Sequence, residues 1–464
     1  MVAIKATALA LSLLCTVPGS QAFFRMPLDN PLIVERADPI ISPGTVSGHV
    51  HTVSGSSNFR DSVTYEELRN STCTSARAIE DKSAYYLFRN HPTDKYPIKA
   101  FPPGFRMVTG SPMLRTDNRT SGPAKDAIGW NCLGSASPTR ETAFPKSKVC
   151  SGNLRGEIRF PSCWNGKDIY KSDGSHMAYS DGESGPCPTT HPHRLVTLFY
   201  EISYYPQALE PFRNAAMDPT QPFVLANGDP TGYGWHGDFF NGWDRQLLQK
   251  AVETCTADSG VIEECKIIKL YDRSDPNHAA CRKTPDFNEV VLAPAMKALP
   301  GCNPITRTEE EAMAGMASCK HLKPPKRFKA TVYEGAIPPV GAQVLPGTPQ
   351  TVTKYGQWSY KGCFADNNPN RAFPKRIDVP KKTVQSCLDT AAAQGYGYAG
   401  IEYHGECWVG PKPSSAKSLN IGLCNALCDD DNLSYCGGGY PAAFSLYELK
   451  RKTSSRRHLP SDMH

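Results

Sequence analysis

Short runs of apolar residues, separated by glycine and proline, recur along the first 320 residues of the chain. Five of them predict short strands, because successive side chains of a strand point to opposite faces: "HVHTV", "MLRT", "EIRF", "RLVTLFYEISYY" and "PFVLA". In "GWDRQLLQKAVETC" the apolar residues recur at helical spacing instead, with Asp244 as the N-cap. Residues 23–320 are therefore predicted to form one large, loop-rich, mainly β domain, similar to a β-sandwich.

The pattern changes twice more towards the C-terminus. Residues 321–356 are rich in proline and small polar residues, which predicts an extended linker. In residues 357–449, "TVQSCLDTAAAQ" predicts a helix that ends at Gly395, and "YAGIEYHGECWVG" predicts strand. We expect a small α+β module here, followed by a basic tail over residues 450–464.

The first 22 residues have the pattern of a secretory signal peptide. Lys5 precedes an apolar run, and Ser20 and Ala22 end it with small residues, so cleavage after Ala22 is expected. No later run approaches the ~20 apolar residues that a membrane-spanning helix needs. We expect a secreted protein, extracellular or associated with a cell wall, without a transmembrane segment.

Cysteine usage agrees with export. Of the 17 cysteines, Cys15 lies in the predicted signal peptide, and the other 16 divide into ten before residue 320 and six after residue 360. Disulfides within each group are expected in an oxidising compartment, with the connectivity left open. The predicted disulfide cysteines are Cys73, Cys132, Cys150, Cys163, Cys187, Cys255, Cys265, Cys281, Cys302, Cys319, Cys363, Cys387, Cys407, Cys424, Cys428 and Cys436. Asn70, Asn118 and Asn432 lie in N-glycosylation sequons.

The net charge of +6 does not indicate a nucleic-acid partner. Five positive charges lie in the short tail, and the rest of the mature chain is close to neutral. The glycines of "GYGWHG" match a dinucleotide-binding pattern, but no clear strand-to-helix crossover surrounds them in this exported chain. Nucleic acid and dinucleotides are therefore not expected as partners.

Residues 360–449 resemble a known family. "YKGCFADNN", "SCLDTAAAQGYGYAGIEYHGECWVG", "CNALC" and "YCGGGYPAAFSLYEL" together resemble the WSC domain, which implies a small α+β module that binds wall polysaccharides such as β-glucans. Ala391 and Val409 stand where the family generally has two further cysteines, so one disulfide is missing if that pair normally joins helix to strand. Because sugar rings stack on aromatic side chains, five residues are candidate carbohydrate contacts, with a role in the module's core as the alternative: Tyr398, Tyr403, Trp408, Tyr435 and Tyr440.

The large domain carries its histidines in four clusters. They lie in "GHVH", "SDGSHMAYSD", "CPTTHPHRL" and "GDPTGYGWHGDFFNGWD". With "FPSCWNGKDIY" and "FYEISYY", this order resembles a secreted fungal family of unknown function that often precedes WSC modules. The resemblance implies a shared fold and a shared site, but no activity.

Four residues are the leading candidates for a catalytic site. His49 and His51 would project from one face of a strand, and His236 and Asp238 have the same spacing. The three histidines, with Asp238 as a further ligand or as a carboxylate that orients an imidazole, are also candidate ligands of a divalent metal. Without a metal, the same groups are candidates for general acid–base catalysis.

Other arrangements remain open. Glu201 with Asp229 or Asp238 would suit glycoside hydrolysis, and His176 with Tyr179 would suit β-elimination from a polyuronate. His191 and His193 flank Pro192, which favours a turn or a strand edge. Loop histidines also hydrogen-bond the backbone in folds with little regular structure, and this is the non-functional alternative for His176 in particular.

The sequence thus predicts a secreted protein that binds cell-wall polysaccharide. The WSC module would serve as the anchor, and the histidine-bearing domain would act on a glycan as a hydrolase or lyase. The alternatives are a non-enzymatic wall adhesin and a metal-binding surface protein. We expect a monomer.

Overall fold

A computed structural model describes most of the chain. The described residues are 22–28, 31–71, 73–76, 82–117, 124–135, 140–270, 281–283, 285–287, 289, 291, 298–318, 324–327, 332–333, 350–366, 371–413, 416–419, 424, 426–438 and 442–450. The predicted signal peptide, except Ala22, and the basic tail, except Lys450, lie outside them. No helix among these residues is both long enough and apolar enough to cross a bilayer.

The N-terminal part is built from short strands. In chain order they are β1 (Phe23–Pro27), β2 (Ile33–Ala37), β3 (Val46–Val53), β4 (Lys82–Leu87), β5 (Arg106–Gly110), β6 (Ile128–Leu133), β7 (Arg140–Glu141), β8 (Asn153–Arg159), β9 (Cys163–Trp164), β10 (Met177–Ala178), β11 (His193–Arg194), β12 (Thr197–Tyr204), β13 (His236–Phe240), β14 (Arg282–Lys283) and β15 (Val332–Tyr333). The described α-helices of this part are α1 (Tyr65–Arg69), α2 (Arg245–Thr254) and α3 (Glu309–Ser318), and 3-10 helices span Lys125–Ala127, Pro206–Ala215 and Ile262–Glu264.

One antiparallel sheet organises the core of this part. Its strand order is β1-β4-β12-β8-β6-β7. Phe160 and Leu198 from the sheet pack with Phe101 and Phe105 in the largest buried cluster, which also receives Leu248 from α2. Two smaller antiparallel pairs, β2 with β3 and β5 with β13, carry the candidate site.

The C-terminal part is a separate sheet with one helix. Its strands are β16 (Lys354–Tyr355), β17 (Trp358–Ala365), β18 (Lys375–Ile377), β19 (Tyr398–Glu402), β20 (Glu406–Gly410), β21 (Ser418–Leu419), β22 (Leu427–Cys428), β23 (Asp431–Tyr435) and β24 (Ala443–Leu449), and its helix is α4 (Val384–Ala393). The sheet has the order β16-β17-β24-β19-β20-β18, with β21 paired to β17. Leu388 of α4 packs against Ala399 and Ile401 of β19 in a buried core.

Seven disulfides have both cysteines fully described, four in the N-terminal part and three in the C-terminal part, which confirms the disulfide prediction for these residues. The pairs are Cys73–Cys281, Cys132–Cys150, Cys163–Cys187, Cys255–Cys265, Cys363–Cys424, Cys387–Cys407 and Cys428–Cys436. Cys302 is also disulfide-bonded, and Cys319 lies outside the described residues.

The mainly β, disulfide-stapled fold predicted from the sequence is confirmed, as are its two main helices. The side chain of Asp244 accepts a hydrogen bond from the backbone N–H of Leu247 and caps α2. The helix α4 ends just before Gly395, whose φ of 81° only glycine adopts readily.

Two predicted strands are wrong. In "MLRT" the guanidinium of Arg115 is buried and donates to the backbone carbonyls of Pro112 and Asn227, so a side chain, not a strand partner, holds this segment. In "PFVLA" the backbone N–H of Leu225 donates to the carbonyl of Asp229 across a turn.

The segment predicted as a linker has contacts at both of its described ends. Arg327 pairs with Asp61, and β15 pairs with β14 of the N-terminal part. At the other end β16 pairs with β17, and Gln350 bridges to Ser434 of the C-terminal part. The boundaries at residues 321 and 356 stay predictions.

Candidate functional site

The four leading candidates lie together. His49 and His51 project from one face of β3, and His236 and Asp238 project from one face of β13. The ring centroid of His49 lies 4.5 Å from that of His51 and 4.8 Å from that of His236. We call these four residues the histidine cluster, whose role is a proposal below.

A glycine in β5 lets β5 and β13 approach each other closely. Gly110, at the end of β5, pairs with His236 and has a φ of 88°. A Cβ atom at this position would lie 2.6 Å from the carbonyl oxygen of Trp235 and 3.0 Å from the Cα of His236. Residue 110 must therefore be glycine for β13 to place His236 where it lies.

The turn before β13 sets the orientation of the His236 ring. The buried carboxylate of Asp229 accepts hydrogen bonds from the backbone N–H groups of Thr231 and Gly234. The Gly234 carbonyl oxygen lies 3.0 Å from Nδ1 of His236. Because a carbonyl only accepts, Nδ1 carries a proton, and Nε2 of the neutral ring presents a lone pair to the cluster.

The nitrogen and oxygen atoms of the cluster converge. Nε2 of His49 lies 2.9 Å from Nε2 of His236, and Nε2 of His51 lies 3.4 Å from Oδ2 of Asp238. The three histidines each offer a nitrogen within 4.8 Å of the others, and so do the ligand atoms of Asp38, His51 and Asp238. Neither ring nitrogen of His51 has a hydrogen-bond partner among the described residues, and neither has Oδ1 of Asp238.

Burial opposes charge in the cluster. It is the main reason that the pKa of His49 falls to about 2, with smaller contributions from His51 and His236. Burial also lowers the pKa of His51, although Asp238 acts in the opposite direction, and it raises the pKa of Asp238 against the attraction of both histidines. Neutral imidazoles are the form that accepts a proton or binds a metal ion.

The cluster is partly open to solvent. The side chains of His51 and Asp238 retain 14% and 22% of their exposure. Burial and the carboxylates of Asp38 and Asp238 raise the pKa of Tyr170, whereas Arg106 lowers it. The guanidinium of Arg106 lies over the Tyr170 ring, 5.2 Å from its centroid.

The remaining candidate histidines have structural contacts. Nε2 of the buried His176 lies 2.8 Å from the backbone carbonyl oxygen of Arg106. Nε2 of His191 lies 3.1 Å from the carbonyl oxygen of Ser175. His193 stacks on an aromatic ring at 4.4 Å. Among the described residues, none of these three belongs to a group that could hold a metal ion.

The other acid–base candidates are also engaged in structure. Asp229 is buried at the turn described above. Glu201 accepts a hydrogen bond from the hydroxyl of Tyr85 and pairs with Arg155 at 3.1 Å. The hydroxyl of Tyr179 donates to the backbone carbonyl of Arg159 at 3.2 Å, whereas His176 contacts the carbonyl of Arg106.

The aromatic candidates of the C-terminal module do not form one platform. Tyr398 begins β19, whereas Tyr403 follows its end, about 17 Å away along the strand, and is 54% exposed. Trp408 is half-buried beneath Arg371, whose guanidinium carbon lies 4.0 Å from the ring centroid. Tyr435 is half-buried, and Tyr440 lies outside the described residues.

A groove of about 780 Å³ opens beside Tyr398. Tyr396 lines it as well, and Lys375 and Lys412 lie at its margin. Nζ of Lys375 lies 3.3 Å from the hydroxyl of Tyr396, and the hydroxyl of Tyr398 donates to Glu448 at 2.7 Å. We call this the tyrosine groove.

Sequence reasoning missed five of the residues around these two sites. Asp38 and Tyr170 are distant in sequence from the histidines, and no motif marks them. Tyr396 was within reach, because it lies two residues before Tyr398 in the same "YGY" run. Lys375 and Lys412 come from segments that only the fold brings to the groove.

The predicted glycosylation sites are only partly described. Asn70 follows α1 as its C-cap and is exposed. Asn118 lies outside the described residues, and Asn432 lies within β23. Glycosylation of all three stays a prediction.

Sequence comparisons identify both parts. Residues 38–89 and 84–243 match the family described as "Domain of unknown function (DUF1996)", and residues 360–438 match the WSC domain. The chain therefore carries a WSC domain preceded by a DUF1996 domain, which confirms the resemblance in the sequence. The WSC domain indicates a carbohydrate-binding role associated with the cell wall, and the disulfides fit an extracellular protein.

Two curated relatives match short stretches of the chain. A "WSC domain-containing protein" of Arthroderma benhamiae (strain ATCC MYA-4681 / CBS 112371) is 35% identical over 103 residues, which cover 21% of this chain and 11% of that protein. "Xylosyltransferase oxt" of Drosophila melanogaster is 35% identical over 94 residues, which cover 19% of this chain and 10% of that protein. The chain covers about a tenth of the length of these relatives.

Proposed function

We propose that this chain, with its DUF1996 domain followed by a WSC domain, is a secreted protein that binds cell-wall polysaccharide and acts on a glycan. The WSC domain is the anchor, and the histidine cluster is the reactive site. The observation that carries the proposal is the convergence of three imidazoles in a partly open site, with Asp238 beside His51, in a chain with a carbohydrate-binding module.

The tyrosine groove is the proposed anchor site. Sugar rings present flat C–H faces that stack on aromatic side chains, while neighbouring polar groups bind the hydroxyls. Tyr396 and Tyr398 supply the rings, and Lys375 and Lys412 supply hydrogen-bond donors. Anchoring raises the effective concentration of the first domain at the polymer without any new chemistry.

The histidine cluster supplies groups for proton transfer. Burial lowers the pKa of His51, which lies 3.4 Å from Asp238, so without a metal ion its imidazole is suited to accept a proton from a water molecule or from a sugar carbon. Hydrolysis and β-elimination both need such a base.

Two measurements on the secreted protein test the proposal. Binding to insoluble β-glucan should weaken at least about tenfold in a Tyr396→Ala, Tyr398→Ala variant, because each stacked ring contributes about 1 kcal/mol. A product screen on β-glucan, chitin, mannan and polyuronate should detect soluble fragments from wild type and none from a His49→Ala, His51→Ala variant.

The controls separate the two domains. The tyrosine variant should still act on soluble substrate, and the histidine variant should still bind insoluble glucan. Binding by wild type without any product would contradict the action on a glycan and favour a non-enzymatic wall adhesin. Binding that is unchanged in the tyrosine variant would contradict the groove assignment.

A further inference from the structure

We infer that the histidine cluster binds one divalent first-row transition-metal ion, with His49, His51 and His236 as nitrogen ligands and with Asp238 as the neighbouring carboxylate beside His51. The inference goes beyond the proposed action on a glycan and does not depend on it, because it concerns the resting protein. It rests on four observations: spacing, unpartnered atoms, ring orientation and donor type.

The spacing of the nitrogen atoms suits a shared ion. Two imidazole nitrogens that bind one metal at 2.0–2.1 Å, with an angle between tetrahedral and square, lie about 2.8–3.4 Å apart. Nε2 of His49 and Nε2 of His236 lie 2.9 Å apart in a hydrogen bond, and a metal ion bound by both would take the place of the proton they share. A nitrogen of His51 lies within 4.8 Å of both, so a small movement of one ring completes the set.

Several buried polar atoms of the cluster have no hydrogen-bond partner. They are both ring nitrogens of His51 and Oδ1 of Asp238, within the described part of the chain. Leaving a buried donor or acceptor unpaired costs about 1–3 kcal/mol, and such groups in native proteins need an explanation. A cation at the three histidines would satisfy a lone pair of His51 and attract the neighbouring carboxylate of Asp238.

The orientation of His236 is that of a metal ligand. A histidine that binds a metal usually donates its other ring N–H to a carbonyl or carboxylate, which fixes the tautomer. Nδ1 of His236 lies 3.0 Å from the Gly234 carbonyl oxygen, and Asp229 holds the turn that presents that oxygen. Nε2 is therefore free of its proton and points towards His49.

The donor set selects the class of metal. Three imidazoles with one carboxylate suit zinc, copper, nickel, cobalt or iron, whereas calcium and magnesium prefer oxygen ligands throughout. Asp38 would add a second negative charge beside His51. Its Oδ1 accepts hydrogen bonds from the backbone N–H groups of Ile40 and Ile41, which hold the carboxylate in place. Two carboxylates would balance a divalent ion among neutral imidazoles.

The test is metal binding by the full secreted protein. The protein is stripped with a chelator and titrated with Zn²⁺ and, separately, with Co²⁺. We expect one ion per chain, visible cobalt absorption bands typical of nitrogen ligands, and a higher Tm when zinc is present. His49→Ala and His236→Ala should each lower the affinity for the metal at least about 100-fold. Changing a residue that only hydrogen-bonds a ligand costs about 10–100-fold, and each of these variants removes a ligand itself.

Matched variants make the outcome decisive. His191→Ala removes a ring that hydrogen-bonds the Ser175 carbonyl and the Thr190 hydroxyl, outside the cluster, and it should bind zinc like wild type. Asp238→Asn should weaken binding and shift the cobalt bands. Because alanine at a buried position can disturb folding, His49→Asn is measured too, with near-ultraviolet circular dichroism as the check on folding.

Two results would overturn the inference: wild type that binds neither ion stoichiometrically, or binding that His49→Ala and His236→Ala leave unchanged. Binding is measured without any glycan. A failure to release product therefore counts against the proposed function alone, and a failure to bind metal counts against this site alone.

Discussion

Each part of the protein buries a glutamate. Glu35 on β2 is 2% exposed beside Lys283, and Glu402 on β19 is 1% exposed beside Arg371. Burial is the main cause that raises the pKa of each to about 7. Such a group favours the protonated state in the folded protein, so it makes stability depend on pH.

The N-terminal domain should lose stability as the pH rises through this range. The folded state holds the proton on Glu35 more tightly than the unfolded chain, so the contribution of Glu35 to the free energy of unfolding is fully present below about pH 4.5 and falls by up to about 3 kcal/mol by about pH 7. Glu35→Gln should remove this fall. Hydrogen exchange of β2 peptides at about pH 5 and about pH 7 measures it.

The matched control is Glu402→Gln, which should leave the pH dependence of β2 unchanged and flatten that of β19. A Glu35→Gln protein whose β2 protection still falls between these pH values would contradict the assignment.

A second residue-scale prediction concerns Gly110. Alanine at a positive φ costs about 1–2 kcal/mol, and at Gly110 its Cβ would also collide with backbone at 2.6 Å. Gly174 has a φ of 72°, and a Cβ added there would meet no atom within 4 Å, so Gly174→Ala isolates the backbone cost. Urea unfolding should show that Gly110→Ala loses at least about 1 kcal/mol more than Gly174→Ala. Equal losses would show that the close approach to β13 is unimportant.

At the scale of elements, regular spacing explains which side chains meet. Cys387 of α4 and Cys407 of β20 form a disulfide. Ala391 lies one turn further along the helix, and Val409 lies two residues further along the same strand face; both are fully buried in one core. The two missing family cysteines thus fall on facing positions, which explains why they are absent together.

An Ala391→Cys, Val409→Cys double variant should therefore form a fourth disulfide in the module. Intact mass after alkylation should show no free thiol in the double variant, because the Cys387–Cys407 disulfide already joins the helix to the strand and both new positions lie in the same buried core. The single variant Ala391→Cys is the control and should take up one alkyl group. Two alkylated thiols in the double variant would contradict the facing arrangement.

At the scale of the whole molecule, one disulfide spans most of the N-terminal domain. Cys73 and Cys281 are 208 residues apart in sequence, whereas Cys255 and Cys265 are 10 apart. A cross-link that closes a long loop restricts the unfolded chain more strongly than one that closes a short loop. The long-range bridge ties the segment that follows α1 to the residue just before β14.

Removing the long-range bridge should therefore cost more stability than removing the short one. By loop entropy, a Cys73→Ser, Cys281→Ser variant should lose about 5 kcal/mol, and a Cys255→Ser, Cys265→Ser variant about 3 kcal/mol. Urea unfolding of both variants and wild type checks the difference. The reverse order would show that local packing, not chain entropy, governs their contributions.

The histidine cluster was partly predictable. The period of two along β3 is enough to place His49 and His51 on one face, and Asp244 with the apolar spacing behind it predicts α2. The failure at "PFVLA" has a different origin. Apolar composition alone does not specify a strand, and here the side chain of Gln221 hydrogen-bonds the backbone N–H and carbonyl of Phe223, so the segment needs no strand partner there.

By itself the sequence determined the local facts: export-type cysteine usage, a mainly β chain, a WSC domain at the C-terminus and pairs of residues that share a strand face. Only the tertiary structure decided which pairs meet. It brought β13 to β3 across 187 residues, gave Nδ1 of His236 a carbonyl partner, and added Asp38, which no motif marks. Local spacing follows from covalent geometry, whereas contacts between distant segments depend on how the whole core packs.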